Sequence, residues 1–369
     1  MSCGAVLERA IVSLVTSLVS GAIVDKVGAR GVLIFSLLTS FVSALAFIQV
    51  TEAWEGFIAA ALLGVGWGSF WPSMQSLLVQ TVQPHQRSAV FAVHYVSLNL
   101  GIGVGGIVGG LLADIATEST FEMLFLLDAF TFLPMAVLLL TVLRGLRPDA
   151  KEEPTNEVSG GYLDVFKDRL FLRVFGLTLA LTTVGYSQLE SSFPAYATGR
   201  GGIGTGALGL AFAGNTFFIV IAQLVVLKRL EGARRTRAVA LMASAWAVCW
   251  AITVTSGVIG GGVAYVGFFM AMVVFAFGET LLSPTIPAIV NDLAPERLRG
   301  RYNATYSLGW SGGSIIGPAI AGFFLGADLA VAFFLGLIGA CVGAAFLAIR
   351  LERHLPAEAN VVKAELSEA

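Results

Sequence analysis

The chain contains 369 residues, of which 56% are hydrophobic and 12% are charged, and its formal net charge is −2. Ordinary soluble domains carry about 25% charged residues, so this composition excludes that class and favours a membrane protein. The three cysteines, Cys3, Cys249 and Cys341, are too scattered for a disulfide framework or a metal site.

Apolar segments long enough to cross a bilayer follow one another along the chain. A helix of about 20 residues crosses about 30 Å of hydrocarbon. The first half contains five such spans, at about 5–24, 31–50, 54–80, 88–113 and 121–143. The second half contains six, at about 170–194, 205–227, 237–256, 262–290, 302–325 and 328–349.

The same pattern divides the chain into domains. Residues 1–143 are predicted to form an N-terminal helix bundle, and residues 170–350 a C-terminal one. Between them, residues 144–169 are polar and contain two prolines, which is typical of a linker. Residues 351–369 are predicted to be a solvated tail. The predicted fold is therefore an all-α polytopic membrane protein with eleven visible spans.

The two halves repeat one another at a long period. A helix, a basic loop and a glycine-rich helix recur in the same order, and such self-similarity indicates a duplicated fold. In membrane proteins it is typical of transporters. The matching pairs, each 212 positions apart, are Pro72 and Pro284, Arg87 and Arg299, Gly101 and Gly313, Gly105 and Gly317, and Gly110 and Gly322.

The basic residues are concentrated in alternate loops. Of the 22 Lys and Arg residues, 20 lie in the tail or in or beside the loops at 25–30, 81–88, 144–169, 228–237 and 295–301. The loops between them, at 51–55, 114–120, 257–261 and 326–328, hold none. Because positively charged loops remain in the cytoplasm, these loops, the linker and the C-terminus are predicted to be cytoplasmic. We expect a multi-pass protein of the plasma membrane.

The first basic loop carries the motif GAIVDKVGAR over residues 21–30. It resembles the signature loop of the major facilitator superfamily, in which a glycine precedes an acid, a base, a second glycine and further basic residues. The corresponding residues, which would form a gating loop, are Gly21, Asp25, Lys26, Gly28 and Arg30. The resemblance implies the fold of that superfamily, two pseudo-symmetric helix bundles with a norm of twelve helices.

The resemblance also assigns a role to Asp25. In the superfamily this acid is thought to latch against the start of the eleventh helix, here near residues 299–302, when the cytoplasmic side closes. The alternative is a tight basic turn that only fixes the topology. The signature normally follows the second helix, whereas here it follows the first span. We therefore expect the first helix of the family to be missing, more plausibly through an incorrectly assigned start than as a natural eleven-helix form.

The glycine helices also resemble a family motif. The run NLGIGVGGIVGG resembles the fifth-helix motif of proton-coupled drug exporters, although Gly105-Gly106 replaces its usual Gly-Pro pair. The alternative is close packing of helices, which small residues at this spacing permit. The predicted packing residues are Gly101, Gly105, Gly106, Gly109, Gly110, Gly313, Gly317, Pro318 and Gly322.

Three acids lie deep within predicted spans, and no Lys or Arg lies deep in any of them. A charge in hydrocarbon is costly, so such acids usually face a cavity or are protonated. The candidates for energy coupling are Glu279 first, then Glu190 and Asp128. Glu190 is close enough to a span end to reach water, and Asp128 has the alternative of hydrogen bonding to a neighbouring helix. The fourth-helix arginine of many proton-coupled members is absent.

Uncharged polar and aromatic residues within the spans suggest the lining of a cavity. An apolar cavity with a few polar groups suits bulky amphipathic substrates better than sugars. The alternative for each residue is a hydrogen bond between helices. The candidates are Tyr95, Asn99, Tyr186, Gln188, Asn215, Gln223 and Trp246.

Other chemistries lack support in the sequence. It has no P-loop motif for ATP, no catalytic constellation, no metal-ligand spacing and no basic patch for nucleic acid, so we expect neither an enzyme nor a cofactor. The prediction is a monomeric secondary transporter, exporting amphipathic drugs or toxic compounds by alternating access in exchange for protons. The alternatives are a metabolite or lipid carrier of the same superfamily, and a membrane interaction protein or degenerate paralogue without transport activity.

Overall fold

A computed structural model describes residues 3–112, 118–145 and 161–362, and these ranges are almost entirely helical. Apart from one antiparallel bridge between Arg234 and Val361, the described ranges contain no β-structure. The helices are α1 (Cys3–Val27), α2 (Ala29–Ile48), α3 (Ala53–Gln80), α4 (Arg87–Leu112), α5 (Glu118–Leu140), α6 (Tyr162–Lys167), α7 (Arg169–Leu181), α8 (Ser187–Glu190), α9 (Ser192–Gly199), α10 (Thr205–Leu230), α11 (Arg235–Ile259), α12 (Gly261–Leu282), α13 (Ile286–Leu293), α14 (Arg299–Gly326), α15 (Ala330–Leu351) and α16 (Ala357–Asn360).

Ten helical segments of the described chain are long and apolar enough to cross a membrane. They correspond to the second to eleventh predicted spans. The remaining prediction, at 5–24, falls on α1, a helix of 25 residues. The all-α polytopic fold predicted from hydropathy is therefore confirmed.

Two predicted spans are broken helices. The span at 170–194 consists of α7, a π-helical turn at Thr182–Tyr186, and α8, with α9 following. The span at 262–290 is interrupted between α12 and α13, where Pro284 lies in a turn and Pro287 is the second residue of α13. Proline has no backbone N–H to donate, so two prolines three positions apart weaken the helical hydrogen bonding at this break, and Pro287 lies in the first turn of α13, where its missing N–H costs little.

The chain divides into two compact units. The first unit comprises residues 1–81, 104–168 and 294–308, and the second comprises 82–103, 169–293 and 309–369. Both α4 and α14 contribute residues to each unit. The division at a linker over 144–169 stays a prediction.

In the first unit, α3 packs against both α1 and α2, and α5 packs against α2. Serines hold the α2–α3 contact, since Ser36 donates to the carbonyl of Gly66 (2.7 Å) and Ser43 to that of Ala59 (2.8 Å). A Cβ atom at Gly66 would collide with Ser40. Small residues at this interface let the two backbones approach closely, as membrane helix packing requires.

In the second unit, α11 lies against α12 and α15, and α10 lies against α12. Trp246 and Trp250 of α11 are fully buried, and the ring of Trp246 stacks on Phe275 with centroids 4.7 Å apart. A Cβ atom at Gly185 or at Gly278 would collide with the Trp246 ring. The two glycines therefore create the space that this large side chain fills.

The tail after Arg350 does not behave as expected from its polarity. Val362 is 1% exposed, and its N–H and carbonyl bond to the carbonyl of Ala233 (3.0 Å) and the N–H of Gly232 (2.8 Å). Asn360 accepts a bond from the N–H of Thr236 at the start of α11 (3.0 Å). The expectation of a solvated tail is wrong for this stretch, because its groups satisfy otherwise unpaired donors and acceptors of the 232–236 turn.

Candidate functional site

Glu279 on α12 is the centre of a buried polar cluster in the second unit. The residue is 3% exposed. Its Oε1 accepts a hydrogen bond from the hydroxyl of Tyr95 on α4 (2.8 Å), and its Oε2 accepts one from the amide of Asn215 on α10 (2.6 Å). The hydroxyls of Tyr95 and Tyr186 are 2.5 Å apart. Three elements distant in sequence thus bring their polar groups to one carboxylate on a fourth.

The π-helical turn positions Tyr186. A π turn adds a residue to the helical repeat, and such turns occur frequently at functional sites. Here it leaves the carbonyl of Val184 free to accept the indole N–H of Trp250 (2.9 Å). Gly185 permits the Trp246 ring to lie against the turn. The π turn therefore directs the Tyr186 side chain toward α12, and contacts with Trp246 and Trp250 hold the turn in place.

Aromatic rings surround the phenol of Tyr186. Their centroids lie 4.7 Å away for Trp310, 5.6 Å for Trp246 and 5.9 Å for Phe275. A cavity of about 10 Å³ adjoins the rings of Tyr186, Trp246 and Trp310 and is also lined by Thr178 and Thr182. That is the room one water molecule needs, about 10–15 Å³. The site in this structure is closed around an aromatic wall.

The groups that meet Glu279 are all neutral. Within the described ranges, each hydrogen bond to its carboxylate comes from a phenol or an amide. Because a charge in hydrocarbon is costly, a proton or a bound cation would stabilise this carboxylate. The same part of the chain contains no group of three or more His, Cys, Asp or Glu residues able to hold a metal ion. The arrangement is therefore chemically able to accept a proton or a cation.

The structure brings together only part of the predicted cavity lining. Tyr95, Tyr186, Asn215 and Trp246 lie at or beside Glu279. The other candidates make helix contacts elsewhere, as their donor atoms show: Asn99 bonds to the Tyr95 carbonyl (2.9 Å), Gln188 to the Thr183 carbonyl (2.8 Å), and Gln223 to the Thr280 carbonyl (3.0 Å). The predicted alternative, a hydrogen bond between helices, describes Gln223, whereas Asn99 and Gln188 bond within their own helical segments. Trp310 and Phe275 were not among the sequence candidates.

The two other acids differ from Glu279 in environment. Glu190, the last residue of α8, and Asp128, on α5 in the first unit, are both exposed. Neither is enclosed by the polar groups that surround Glu279. Of these three candidate acids, Glu279 is therefore the one that the fold buries.

In the first unit, the structure places Asp25 against the start of α14. Its carboxylate accepts bonds from the N–H groups of Gly300 (2.5 Å) and Arg301 (3.2 Å) and from the Arg301 guanidinium (2.9 Å). A helix N-terminus with free N–H groups favours an anion. A Cβ atom at Gly21 would lie 2.7 Å from the carbonyl oxygen of Gly300, so glycine permits the two backbones to approach.

The rest of the signature motif shapes the turn after α1. Gly28 has a φ of 90°, a conformation that glycine adopts readily, and it separates α1 from α2. The Arg30 side chain donates to the carbonyl of Leu139 on α5 (2.7 Å), and Lys26 is exposed. Tyr162 of α6 donates to the carbonyl of Leu18, and its ring lies 5.9 Å from the Arg301 guanidinium.

The second unit contains an ion cluster that sequence reasoning missed. Asp292 at the end of α13 pairs with Arg87 at the start of α4 and with Arg235 at the start of α11. Arg235 also donates to Ser88 (3.0 Å) and to the Ala359 carbonyl (3.0 Å). The sequence signal for this cluster was the basic run ARRTR at 233–237, which the sequence analysis interpreted only as evidence for membrane topology.

The packing glycines fall into two groups. A Cβ atom at Gly313 would collide with Thr182 and would lie 2.9 Å from the backbone nitrogen of Thr183. One at Gly317 would collide with Ser187. Both glycines therefore make close contacts between helices. Among the described residues, Gly101, Gly105 and Gly322 have no such neighbour within 4 Å, and Pro318 is an interior residue of α14. The surroundings of Gly106, Gly109 and Gly110 lie outside the described part of the chain.

Membrane-length helices grouped in two units, with a buried carboxylate in a broken span, define the class of multi-pass secondary transporters. The family model of the Major Facilitator Superfamily matches residues 5–277 and 202–368. The chain belongs to that superfamily.

Curated relatives agree with this assignment. The chain is 27% identical to the uncharacterized MFS-type transporter YqjV of Bacillus subtilis (84% of this chain, 74% of the relative). It is 24% identical to a Na(+), Li(+), K(+)/H(+) antiporter of Planococcus maritimus (84% and 77%). It is 22% identical to multidrug resistance protein 1 of Bacillus subtilis (94% and 87%).

Solved structures share the fold. A bacterial homologue of the iron transporter ferroportin, in an outward-facing state, superposes with a TM-score of 0.75. The match covers 95% of this chain and 89% of that one, at 19% sequence identity. At this identity the likeness concerns the fold alone.

Proposed function

We propose that this transporter exports small amphipathic molecules in exchange for protons, by alternating access and as a monomer. The observation that carries the proposal is Glu279, a buried carboxylate that meets only neutral donors and lies beside an aromatic wall. A proton bound there removes the cost of a charge in the membrane, so the site favours different states with and without the proton. We also propose that the protein lies in the plasma membrane with its C-terminus in the cytoplasm.

The aromatic wall supports an amphipathic substrate. Tyr186, Trp246, Phe275 and Trp310 offer large apolar faces, and the polar groups beside them are few, which suits hydrophobic molecules with a single polar end. One relative bears the name multidrug resistance protein and another the name antiporter. Both names are in keeping with export driven by protons.

We assign a gating role to Asp25 as part of the same proposal. Its carboxylate is held by two backbone N–H groups and a guanidinium at the start of α14. Such a contact has two states, made and broken, and so is able to bias a conformational equilibrium. The alternative, a turn that only fixes topology, requires no specific partner for this acid.

Exchange of monovalent cations for protons is the second candidate function. It is favoured by the relative named as a Na(+), Li(+), K(+)/H(+) antiporter and by the oxygen-rich surroundings of Glu279. A carboxylate with phenol oxygens nearby offers the hard ligands that such cations prefer. Cation exchange needs no aromatic wall, whereas export of amphipathic molecules does, and this difference distinguishes the two candidate functions.

The test uses the purified protein in liposomes under an imposed proton gradient. Ethidium serves as the amphipathic probe, a trapped pH indicator reports proton movement, and Na⁺ or K⁺ replaces ethidium in parallel samples. We expect proton-driven ethidium movement with the wild type and its loss with Glu279→Gln. Glu190→Gln, which alters an exposed acid, is the matched control and should behave as the wild type.

Undiminished, pH-dependent transport by Glu279→Gln would refute the role of this residue. Proton release on adding Na⁺ or K⁺ but not ethidium would favour the second candidate.

A further inference from the structure

The hydroxyls of Tyr186 and Tyr95 and the carboxylate of Glu279 are connected in that order by hydrogen bonds within the second unit. The distances along this hydrogen-bonded chain are 2.5 Å between the phenols and 2.8 Å from Tyr95 to Oε1. One end of the chain is the buried acid, and the other end is the phenol that adjoins the aromatic cavity. The chain therefore joins the acid to the cavity.

The direction of the chain is determined when Glu279 is ionised. An ionised carboxylate only accepts, so the single proton of the Tyr95 hydroxyl is donated to Oε1. Between the two phenols, the donor must then be Tyr186, because Tyr95 has no second proton to offer. Both hydroxyl protons point toward the acid.

The direction reverses when Glu279 is protonated. Oε2 receives the amide N–H of Asn215 at 2.6 Å, and the amide nitrogen is also 3.4 Å from the Met272 carbonyl, as befits a donor. An amide nitrogen cannot accept a proton, so the added proton belongs on Oε1. Oε1 then donates to Tyr95, and Tyr95 must donate to Tyr186. Each hydroxyl keeps its own proton and only rotates.

We infer that Tyr186 is a positioning residue that transmits the protonation state of Glu279 to the adjoining aromatic cavity. After reversal, its hydroxyl proton turns away from Tyr95 toward the cavity wall formed with Thr182 and Trp310. The cavity then gains a hydrogen-bond donor, so the protonated state favours a substrate with a hydrogen-bond acceptor beside its aromatic part. This inference rests on the proposed function only in taking Glu279 as the proton-binding residue.

Among the residues that the structure describes, few other ionisable groups lie near Glu279. The π turn contributes Tyr186, α4 contributes Tyr95, and α11 contributes the thiol of Cys249, which is buried and within the electrostatic field of the acid. From α10 comes the neutral Asn215. Tyr186 is also close enough to influence the carboxylate directly, so a test must separate a relay from a direct donor.

Phenylalanine substitutions separate the two, because they delete one hydroxyl each. Tyr95→Phe removes a bond to a charged acceptor from the ionised form and only a neutral bond from the protonated form. Bonds to charged groups are the stronger class, so the titration of Glu279 should move to alkaline pH. Tyr186→Phe removes the phenol–phenol bond from both forms, but only in the protonated form does it leave a proton, that of Tyr95, without an acceptor, so the titration should move to acid pH. Each shift is expected to be about one pH unit.

The experiment is an infrared difference titration of the full-length protein in lipid, without any substrate. The carboxyl band of Glu279 is identified by its loss in Glu279→Gln. Tyr196→Phe is the matched control, since its hydroxyl donates to the Val254 carbonyl (3.2 Å), outside the chain. Shifts of opposite sign for Tyr95→Phe and Tyr186→Phe, with none for Tyr196→Phe, support the relay.

Shifts of the same sign would show that Tyr186 acts on the carboxylate directly, and would overturn the inference. So would shifts no larger than that of Tyr196→Phe, or the absence of a titrating Glu279 band. The transport assay is independent of this titration. The infrared titration could show the relay while the Glu279→Gln variant still transports. That result would refute the proposed function and leave the inference about the hydrogen-bonded relay standing.

Discussion

The guanidinium of Arg235 and the carboxylate of Asp292 form a buried ion pair in the second unit, with Nη1 and Oδ2 2.6 Å apart. Arg87 binds the other oxygen of the same carboxylate. One acid thus neutralises the first residues of both α4 and α11, and the carbonyl of Ala359 accepts a further bond from Arg235.

Asp292→Asn should destabilise the protein strongly. The substitution leaves two mostly buried guanidinium groups without a counter-charge, and breaking a buried pair costs about 3–5 kcal/mol. The measurement is thermal unfolding of the purified protein in detergent. A matched control is Glu352→Gln, whose partners Arg234 and Arg237 are largely exposed and which should change stability little. Equal effects of the two variants would contradict a special role for the buried cluster.

Glu352 offers a pH-dependent prediction. Hydrogen bonding from the Arg237 guanidinium holds the pKa of Glu352 below its ordinary value. A lowered pKa in the folded state means that the pair stabilises the protein above the ordinary pKa, and that the stabilisation is lost as pH falls through the lowered one. The small stability difference between wild type and Glu352→Gln should therefore disappear on acidification. A difference that grows in acid would mean the opposite sign of linkage.

Asp25→Asn should impair transport without preventing folding. Asparagine retains an oxygen for one N–H of α14 but loses the charge that the Arg301 guanidinium and the helix terminus stabilise. The proposed gate would be weakened, so the rate of proton-driven ethidium movement should fall several-fold. Lys26→Gln is the control, because this neighbouring residue is exposed. If both variants transport normally, the loop serves topology alone.

Gly317→Ala should be harmful, whereas Gly322→Ala on the same helix should not. A Cβ atom at position 317 would collide with Ser187 on α8, and overpacking typically costs about 1–3 kcal/mol. At position 322 nothing lies within 4 Å, and alanine favours a helix over glycine by about 1 kcal/mol. Thermal unfolding in detergent compares the two. Similar behaviour of both variants would show that the spacing motif, rather than the contact, is what matters.

The fold was largely predictable because hydropathy reports it directly. A helix that crosses hydrocarbon must form all its backbone hydrogen bonds internally and present apolar side chains to the lipid. The spans can therefore be recognised from local composition. The π turn at Thr182–Tyr186 was not predictable, since it depends on the packing of Trp246 and Trp250 and leaves no mark in the hydropathy. The docked stretch ending at Val362 was missed because its burial comes from backbone pairing with 232–236, and not from apolar periodicity.

The site was predictable only as a set of candidates. Intramembrane polar residues are costly enough to stand out singly, which is why Glu279, Tyr95, Tyr186 and Asn215 could be selected. The same criterion also selected Asn99, Gln188 and Gln223, whose donors are used within or between helices. Composition cannot distinguish the two groups, because both satisfy the same need for hydrogen bonds in hydrocarbon.

By itself, the sequence determined the spans, the alternation of basic and neutral loops, and the signature at 21–30, since each follows from the energy of transferring residues into or across a membrane. Only the tertiary structure decided which polar groups meet. Glu279 joins Tyr95, 184 residues away, and Asp25 joins Arg301, 276 residues away. Contacts at such separations depend on how the helices pack, and helix packing is settled by the complementary shapes of many side chains at once.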